Sequence, residues 1–340
     1  MDMQYYVGAR SNYIMELNKN IDYYPKVSLI ISNLNGKDNL RECLKSLLNL
    51  QYKGNYEIIV VDAGSTDGAP EMIEHEFLDV ILIRTKRIGI GEAINIGIGS
   101  AQGDIIGFDL NNDEVFSQNW LQNLIDTLLS NEEIGVVGGI RLLYGSKYIL
   151  DEAGTYFNYL GFQSGNIGVN ISDLQIDPIE SDYVGTILFR RELLNKIGLV
   201  DEDYYIYGED ADFCARVKSY GYKILSVPNA ISYHKRSETI GRVNPLAIYY
   251  HRRAKIRFII INFSLFRMFV SLFWHLILLT GIEALIFIPT LNKFLNSPNT
   301  RLSFLVKENS KENFRAVISA IFWNVRNFKK TVKRRLYIKI

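Results

Sequence analysis

Asp109, Asn111 and Asp113 fall within five positions of the stretch FDLNNDE, Phe108–Glu114, at the end of an apolar run. A turn uses one or two such side chains. Three present a surplus of oxygen ligands, which magnesium and manganese prefer and commonly bridge to substrate phosphates. Two readings stand for this loop: a metal site, or an Asn/Asp turn closed by local hydrogen bonds. A second acidic group, Glu209, Asp210 and Asp212, precedes an apolar and basic helix. It can supply an N-cap and first-turn acids, while Asp210 can also take the proton of a hydroxyl as a new bond forms. A third group comprises Asn33 after the first apolar run and Asp62, Ser65, Thr66 and Asp67 after the second. Such loops recognise a nucleotide base or ribose, and DAGSTDG is equally a turn-forming sequence. His234 follows a later strand-like run, at the same nominal end of the fold as the acidic loops. His75, His251 and His275 lie in helical or membrane-facing contexts and are not assigned to a site.

These residues need elements that bring strand ends together. VSLII (27–31), EIIVV (57–61), DVILI (79–83), DIIGF (104–108) and IGVVGGI (134–140) are apolar runs of strand length. Helical patterns separate them: residues 38–49 with Leu40, Leu44, Leu47 and Leu48 on one face, a short helix at Pro70, a glycine-rich opening at Gly89 and Gly91, and residues 120–129. Continuous apolar strands between helices predict an α/β fold with a mostly parallel sheet covered on both faces. Ligands then bind outside the carboxyl ends of the strands. Residues 141–180 break the alternation, either as an insertion shaping a substrate rim or as a long surface connection. Helices after Arg190 and Asp210 and the strand YKILSVP (222–228) resume it.

Lys and Arg total 38 against 37 for Asp and Glu, a net charge of +1, so global charge points to no nucleic-acid partner. Cys43 and Cys214 are the only cysteines, too few for a disulfide framework. The first residues, MDMQYYVGARSNY, show no secretory signal pattern, and a cytoplasmic main domain is the expectation. From Phe258 to Pro289 only Arg267, His275 and Glu283 are ionisable. The charge-poor part, Met268–Ile282, is shorter than a usual membrane span unless Glu283 is tolerated. The aromatic residues, the basic approach through His251, Arg252, Arg253, Lys255 and Arg257, and the tail cluster KKTVKRR (329–335) favour membrane contact. Interfacial or re-entrant helices with both flanks cytoplasmic are the preferred arrangement. A buried helical pair in a soluble domain is the alternative.

The chain lacks the GxxxxGK[ST] phosphate loop, and GIGEAINIG does not satisfy GxGxxG, which removes support for dinucleotide chemistry. The ordered set VSLIISNLNGKDNLRECLKSL, EIIVVDAGSTDG, GIGEAINIGIGSAQGDIIGFDLNND, SDYVGTILFRRELLNKIGLVDEDYYIYGEDADFCARVKSYGYKILSVPNAISYHK and YYHRRAKIRFII resembles the family 2 glycosyltransferases, particularly the rhamnosyltransferase-like branch. It runs from residue 27 to about 260, about two thirds of the chain.

The resemblance implies a GT-A fold, a nucleotide-diphosphate-sugar donor (UDP, GDP or dTDP) and a divalent metal, Mn2+ or Mg2+. It implies donor contacts at Asn33, Asp62, Gly89, Asn111 and Asp113, with Asp113 the principal metal ligand, Asn111 touching donor or metal water, and His234 at metal or diphosphate. Asp210 falls at the catalytic base, with Glu209 helping to position the acceptor. Arg87-Ile88-Gly89 and Asp62-Ala63-Gly64-Ser65 depart from the family's usual Asn-Leu-Gly and Asp-Asn-Gly-Ser, so neither nucleotide nor sugar is assigned. The expected organisation is an N-terminal extension (1–25), a catalytic domain (26–250) with a donor half to about 140 and an acceptor half beyond, and a membrane-associated helical region with a basic tail (251–340). The expected reaction is inverting glycosyl transfer to a glycan or polyprenyl-linked saccharide at the cytoplasmic face of the membrane. The rival is a noncatalytic nucleotide-sugar-binding scaffold subunit.

Overall fold

A computed structural model describes residues 23–146, 148–174, 177–235, 245–284 and 310–338, without the side chains of 278–284, 310 and 337–338. Almost all of the expected N-terminal extension and residues 285–289 of the apolar stretch lie outside the described residues. The chain divides into two compact units. The first takes the described residues of Met1–Tyr156, Gln163–Tyr205 and Glu209–Arg236; the second those of Phe157–Phe162, Ile206–Gly208 and Ser237–Ile340.

The first unit carries the expected alternation. It begins β1 (Val27–Asn33), α1 (Lys37–Leu48), β2 (Tyr56–Asp62), α2 (Ala69–Glu76), β3 (Val80–Arg84), α3 (Ile90–Ser100), β4 (Ile105–Leu110) and β5 (Glu114–Phe116). There follow α4 (Trp120–Ser130), β6 (Ile134–Leu143), β7 (Leu150–Glu152), β8 (Thr155–Phe157), β9 (Gln163–Gly165), β10 (Ile179–Glu180), β11 (Ile187–Arg190), α5 (Leu194–Ile197), α6 (Glu209–Ser219) and β12 (Lys223–His234). The main sheet runs β10-β12-β6-β11-β4-β1-β2-β3, with β5 paired to β12 and β7 to β6. β1 to β4 are mutually parallel where they pair, as are β6 and β12, whereas β11 is antiparallel to both β4 and β6. Alternate residues feed two cores: Leu29, Ile31, Ile58 and Val60 pack with α1, α2 and α4, and Ile30, Ile59 and Val61 with α3 and α6. On α1 the buried face is Leu40, Cys43, Leu44 and Leu47; Leu48, expected on that face, is exposed.

The main departure from the expected pattern lies at β12. Tyr222–Pro228 reads as a strand ending at its proline, yet β12 continues to His234, because its register against β6 shifts between Val227 and Ile231. A bulge there accommodates Pro228, which cannot donate to a ladder. Gly139 makes the close approach possible: a Cβ at that position would lie 2.4 Å from the Ala230 carbonyl oxygen and 2.7 Å from Trp120 Nε1. Segment 141–180, left open between rim and connection, contributes β7 to the main sheet.

The second unit holds α7 (Pro245–Asn262), α8 (Leu265–Ala284), α9 (Ser310–Arg326) and α10 (Phe328–Ile338). No helix among the described residues is long and apolar enough to cross a membrane. Of the basic approach on α7, Arg253, Lys255 and Arg257 are engaged within this unit, whereas His251 is exposed and Arg252 half-buried. Arg257 is buried and donates to Thr331 Oγ1 (2.8 Å), Arg253 lies 3.6 Å over the Trp323 ring, and Lys255 donates to the Gly161 carbonyl. Helix pairing uses these cations as hydrogen-bond donors and ring partners.

Gly139→Ala is expected to lower stability by about 1–3 kcal/mol, the range for overpacking a filled site. Thermal unfolding followed by circular dichroism checks this.

Candidate active site

Asn33 and Asp62 are register partners at the carboxyl ends of β1 and β2. Asp62 Oδ1 accepts from the backbone N–H groups of Gly64 (3.2 Å) and Ser65 (2.8 Å), and Oδ2 accepts from Asn33 Nδ2 (2.9 Å) and Ser65 Oγ (2.6 Å). Gly64, at φ 84°, turns the loop back under this carboxylate, a conformation that glycine adopts freely. Asp62 therefore closes the turn of DAGSTDG and braces its own loop. Asn33 Oδ1 in turn accepts from Asn112 Nδ2 (2.7 Å), so the FDLNNDE loop is tied to the β1 end through Asn112. A Cβ on Gly36 would sit 2.1 Å from that amide nitrogen.

β4 reaches the loop through a bulge: its register against β1 shifts between Leu29 and Ile31, and Asp109 adopts φ 61°. This left-handed backbone is uncommon outside glycine, although Asp and Asn tolerate it best. Asn111 turns its amide to Glu114 Oε1 (3.0 Å), and its carbonyl accepts the Glu114 N–H (3.1 Å). Asp113 is buried, with Oδ1 3.3 Å from His234 Nε2, and its carbonyl accepts the Lys235 N–H (3.0 Å). β5 pairs in the same place, Glu114 opposite His234. The other ring nitrogen, Nδ1, lies 2.6 Å from Asp151 Oδ2. Burial works against a charged His234, but the bonds to Asp113 and Asp151 outweigh it and raise its pKa to about 9.

Asp113 and His234 fit a small divalent ion. A carboxylate oxygen and an imidazole nitrogen converge, and the second nitrogen is already engaged by a carboxylate, as in most histidine metal ligands. No group of three His, Cys, Asp or Glu side chains among the described residues is arranged to hold a metal. A two-side-chain site is what magnesium and manganese commonly use when substrate phosphates complete the coordination.

The remaining acids gather around Arg141, a buried cation on β6. Its Nε lies 2.7 Å from Glu114 Oε1, and its Nη1 donates to Glu152 Oε2 (2.8 Å). Its Nη2 reaches Thr186 Oγ1 (3.3 Å) and the Asp109 carbonyl (3.4 Å). Burial and the charge of Asp210 push the Asp109 carboxyl well above its ordinary range; burial, Asp109 and Asp210 do the same to Glu209. Asp210 is raised to about 6 by burial, against a hydrogen bond from the Ala211 N–H (2.6 Å) and against Arg141. Glu209 Oε2 makes no hydrogen bond among the described residues. Asp212, one turn inside α6, is buried against Arg216 (2.9 Å) and is structural.

Gly89 opens α3 at a close approach: a Cβ would lie within 3.0 Å of the Tyr205 backbone, whose carbonyl accepts the Ile90 N–H (2.8 Å). The structure thus brings Asp113 and His234 together, turns the Asn111 amide to Glu114 instead, joins Asn33 to Asp62, and sets Glu209 and Asp210 against Asp109. Sequence reasoning missed Asn112, Arg141, Asp151 and Glu152, and it counted Asp109 among the oxygen ligands of its loop rather than with Glu209 and Asp210. A cation ending the apolar run of β6 is the one local signal that could have marked Arg141.

Residues 28–198 match the profile of the family described as Glycosyl transferase family 2. The chain belongs to that family. A curated relative, the minor teichoic acid biosynthesis protein GgaA of Bacillus subtilis (strain 168), is 31% identical over 195 residues, covering 55% of this chain and 42% of that protein. The chain spans about half the length of curated relatives it matches. Among solved structures, the mannosyltransferase PcManGT from Pyrobaculum calidifontis aligns with TM-score 0.52 and 17% identity, covering 94% of this chain and 95% of that one. GalNAc-T7 aligns with TM-score 0.60 and 16% identity, covering 90% and 58%. These likenesses establish the GT-A α/β fold of the chain. The rhamnosyl branch is not singled out among them.

Arg141→Met leaves several carboxylates without their cation and is expected to lower stability by about 3–5 kcal/mol. Asp109 and Asp210, already raised and held down in part by Arg141, then bind their protons still more tightly in the folded state, so the deficit should widen as pH rises and shrink as it falls. Urea unfolding at a series of pH values measures it.

Proposed function

We propose that this chain transfers a sugar from a nucleotide-diphosphate donor to a hydroxyl of a glycan or lipid-linked saccharide, with inversion at the anomeric carbon. One observation carries the reading: Asp210, a carboxyl raised to about 6, stands among buried acids at the sheet end that also presents Asp113 and His234. Two fold neighbours were solved with nucleotide ligands and manganese, one with GDP-Man and Mn2+, the other with UDP, GalNAc and Mn2+. By analogy the donor here is a UDP-, GDP- or dTDP-sugar. Asp113 and His234, with Asn111 in the same loop, would hold Mn2+ or Mg2+, which when bound supplies positive charge to the departing diphosphate. Asn33 and Asp62 stand for the donor base or ribose, on a loop made rigid by their own hydrogen bonds.

Asp210 accepts the proton of the acceptor hydroxyl as that oxygen attacks C1 from the face opposite the diphosphate. A carboxyl titrating near 6 is mostly ionised at pH 7 and more basic than an ordinary aspartate. Glu209, kept protonated by burial and its neighbours, offers a hydrogen bond to an acceptor oxygen. The base is active when ionised, so kcat/KM should rise with pH through about 6, and Asp210→Asn should lower kcat by about 10²–10⁴-fold while keeping donor binding. The measurement is transfer and donor hydrolysis across UDP-, GDP- and dTDP-sugars with manganese, magnesium or chelator. Folded protein that binds a donor and turns over none of them is the result the scaffold reading requires.

The second unit is read as a monotopic element resting on the cytoplasmic face of a membrane. Leu265, Phe266, Phe269, Phe273, Trp274 and Ile277 of α8 are exposed along one face, an apolar stripe that monomers rarely leave to water. Exposed Phe322, Val325, Phe328 and Leu336 alternate with exposed Lys329, Lys330 and Lys333 on α9 and α10, a mixture suited to anionic headgroups. A Phe269→Ser, Phe273→Ser variant should bind anionic phospholipid vesicles at least about tenfold more weakly, given the transfer energy of two phenyl rings. Vesicle co-sedimentation decides it; equal binding by the two proteins removes α8 from the docking face.

A further inference from the structure

β7 is three residues long and pairs antiparallel with β6, with Arg141 opposite Glu152 and Leu142 opposite Leu150. The two pairs differ in register by one, which leaves Asp151 as the extra residue of a β-bulge. A bulge removes a side chain from the alternation of its strand and aims it elsewhere. The neighbours stay in the ladder: Leu150 is fully buried, and Glu152 bonds Arg141 (2.8 Å). Asp151, itself 8% exposed, is turned to His234 Nδ1 at 2.6 Å. β6 lies between β7 and β12 in the sheet, so this carboxylate reaches the histidine across β6.

The geometry points to Asp151 as the positioning residue that fixes the His234 ring with Nδ1 engaged and Nε2 turned to Asp113. The inference rests on the reading of Asp113 and His234 as holders of a divalent ion. An imidazole that keeps Nδ1–H on a carboxylate holds Nε2 in a fixed direction; a metal binds there once Nε2 has given up its proton, and the anionic partner makes that nitrogen a better donor of its electron pair. Without Asp151 the ring is free to turn about χ2 or to take the tautomer that places the proton on Nε2, and either change removes the nitrogen from the site. A short bulged strand in the irregular segment after β6 thereby acts behind the metal site without touching the ion.

The test is Mn2+ binding to the full chain, followed by electron paramagnetic resonance of free Mn2+, alone and with UDP, GDP or dTDP. Asp151→Ala should weaken binding by about 10–100-fold, and Asp151→Asn less, because its amide oxygen still accepts Nδ1–H. In a His234→Ala background, Asp151→Ala should have no further effect on Mn2+ affinity. Thermal unfolding of the metal-free variants is recorded in parallel. Asp151 variants with lowered Tm and wild-type Mn2+ affinity, alongside a His234→Ala protein that has lost it, would overturn the inference and leave Asp151 as a structural brace. Wild-type protein that binds no Mn2+ under any of these conditions would instead overturn the metal site, and the inference with it.

Discussion

A single buried cation makes the acidic end of this sheet foldable. Arg141 stands among Glu114, Glu152, Asp109 and Asp210, and carboxylates brought this close out of water repel one another strongly. Taking an isolated charge into the interior is unfavourable by several kcal/mol even after relaxation, and only pairing with good geometry offsets it. Arg141 turns a different atom to each partner: Nε to Glu114 as an ion pair without a hydrogen bond, Nη1 to Glu152 as a hydrogen-bonded pair, and Nη2 to Thr186 and the Asp109 carbonyl at longer range. Gly185 leaves it room, since a Cβ there would fall 1.9 Å from Nη1. The guanidinium thus binds β4, β5, β7 and the approach to β11 to one point on β6. Lysine, with its compact ammonium, could not reach all of them.

The acids that Arg141 does not fully neutralise keep chemical character. Asp109 and Glu209 hold protons far above the usual carboxylate range, whereas Asp210, helped by the Ala211 N–H, titrates near 6. Neighbouring carboxyls pushed apart in this way divide into proton holders and a proton acceptor. Both Glu209 and Asp210 lie in the first turn of α6, whose dipole favours the ionised form of either, so the division comes from the stronger burial and neighbouring charge at Glu209.

Three bulges do the aiming. One in β4 puts Asp109 in a left-handed conformation, one in β7 takes Asp151 out of its ladder, and one in β12 carries the strand past Pro228 so that it ends at His234. A regular ladder would send alternate side chains to opposite faces and could not bring these three groups to one edge. The backbone strain of Asp109, of order 1–3 kcal/mol for such a conformation, is held in place by the pairing on both sides of β4.

Local chemistry carried much of this into the sequence. Apolar runs of strand length between helical patterns determined the α/β class, the parallel core of β1 to β4 and the two-sided burial, because burial on both faces demands unbroken apolar strands. The acids after the apolar strands, Asp62 and Asp113, were legible because polar groups that interrupt an apolar run must be turned outward or be used, and Asp210 was legible as an acid at the start of a helix. Only the tertiary structure decided that Asp62 braces its own loop, that Asn112 reaches Asn33, that Arg141 gathers the acids, and that Asp151 backs His234. It also turned Arg253 and Arg257 into helix-pairing residues. Apart from the local Asp62 turn, each of these depends on a partner tens of residues away, brought near by a neighbouring strand or helix. Composition and periodicity describe one segment at a time, and they carry no trace of which segment will lie beside it.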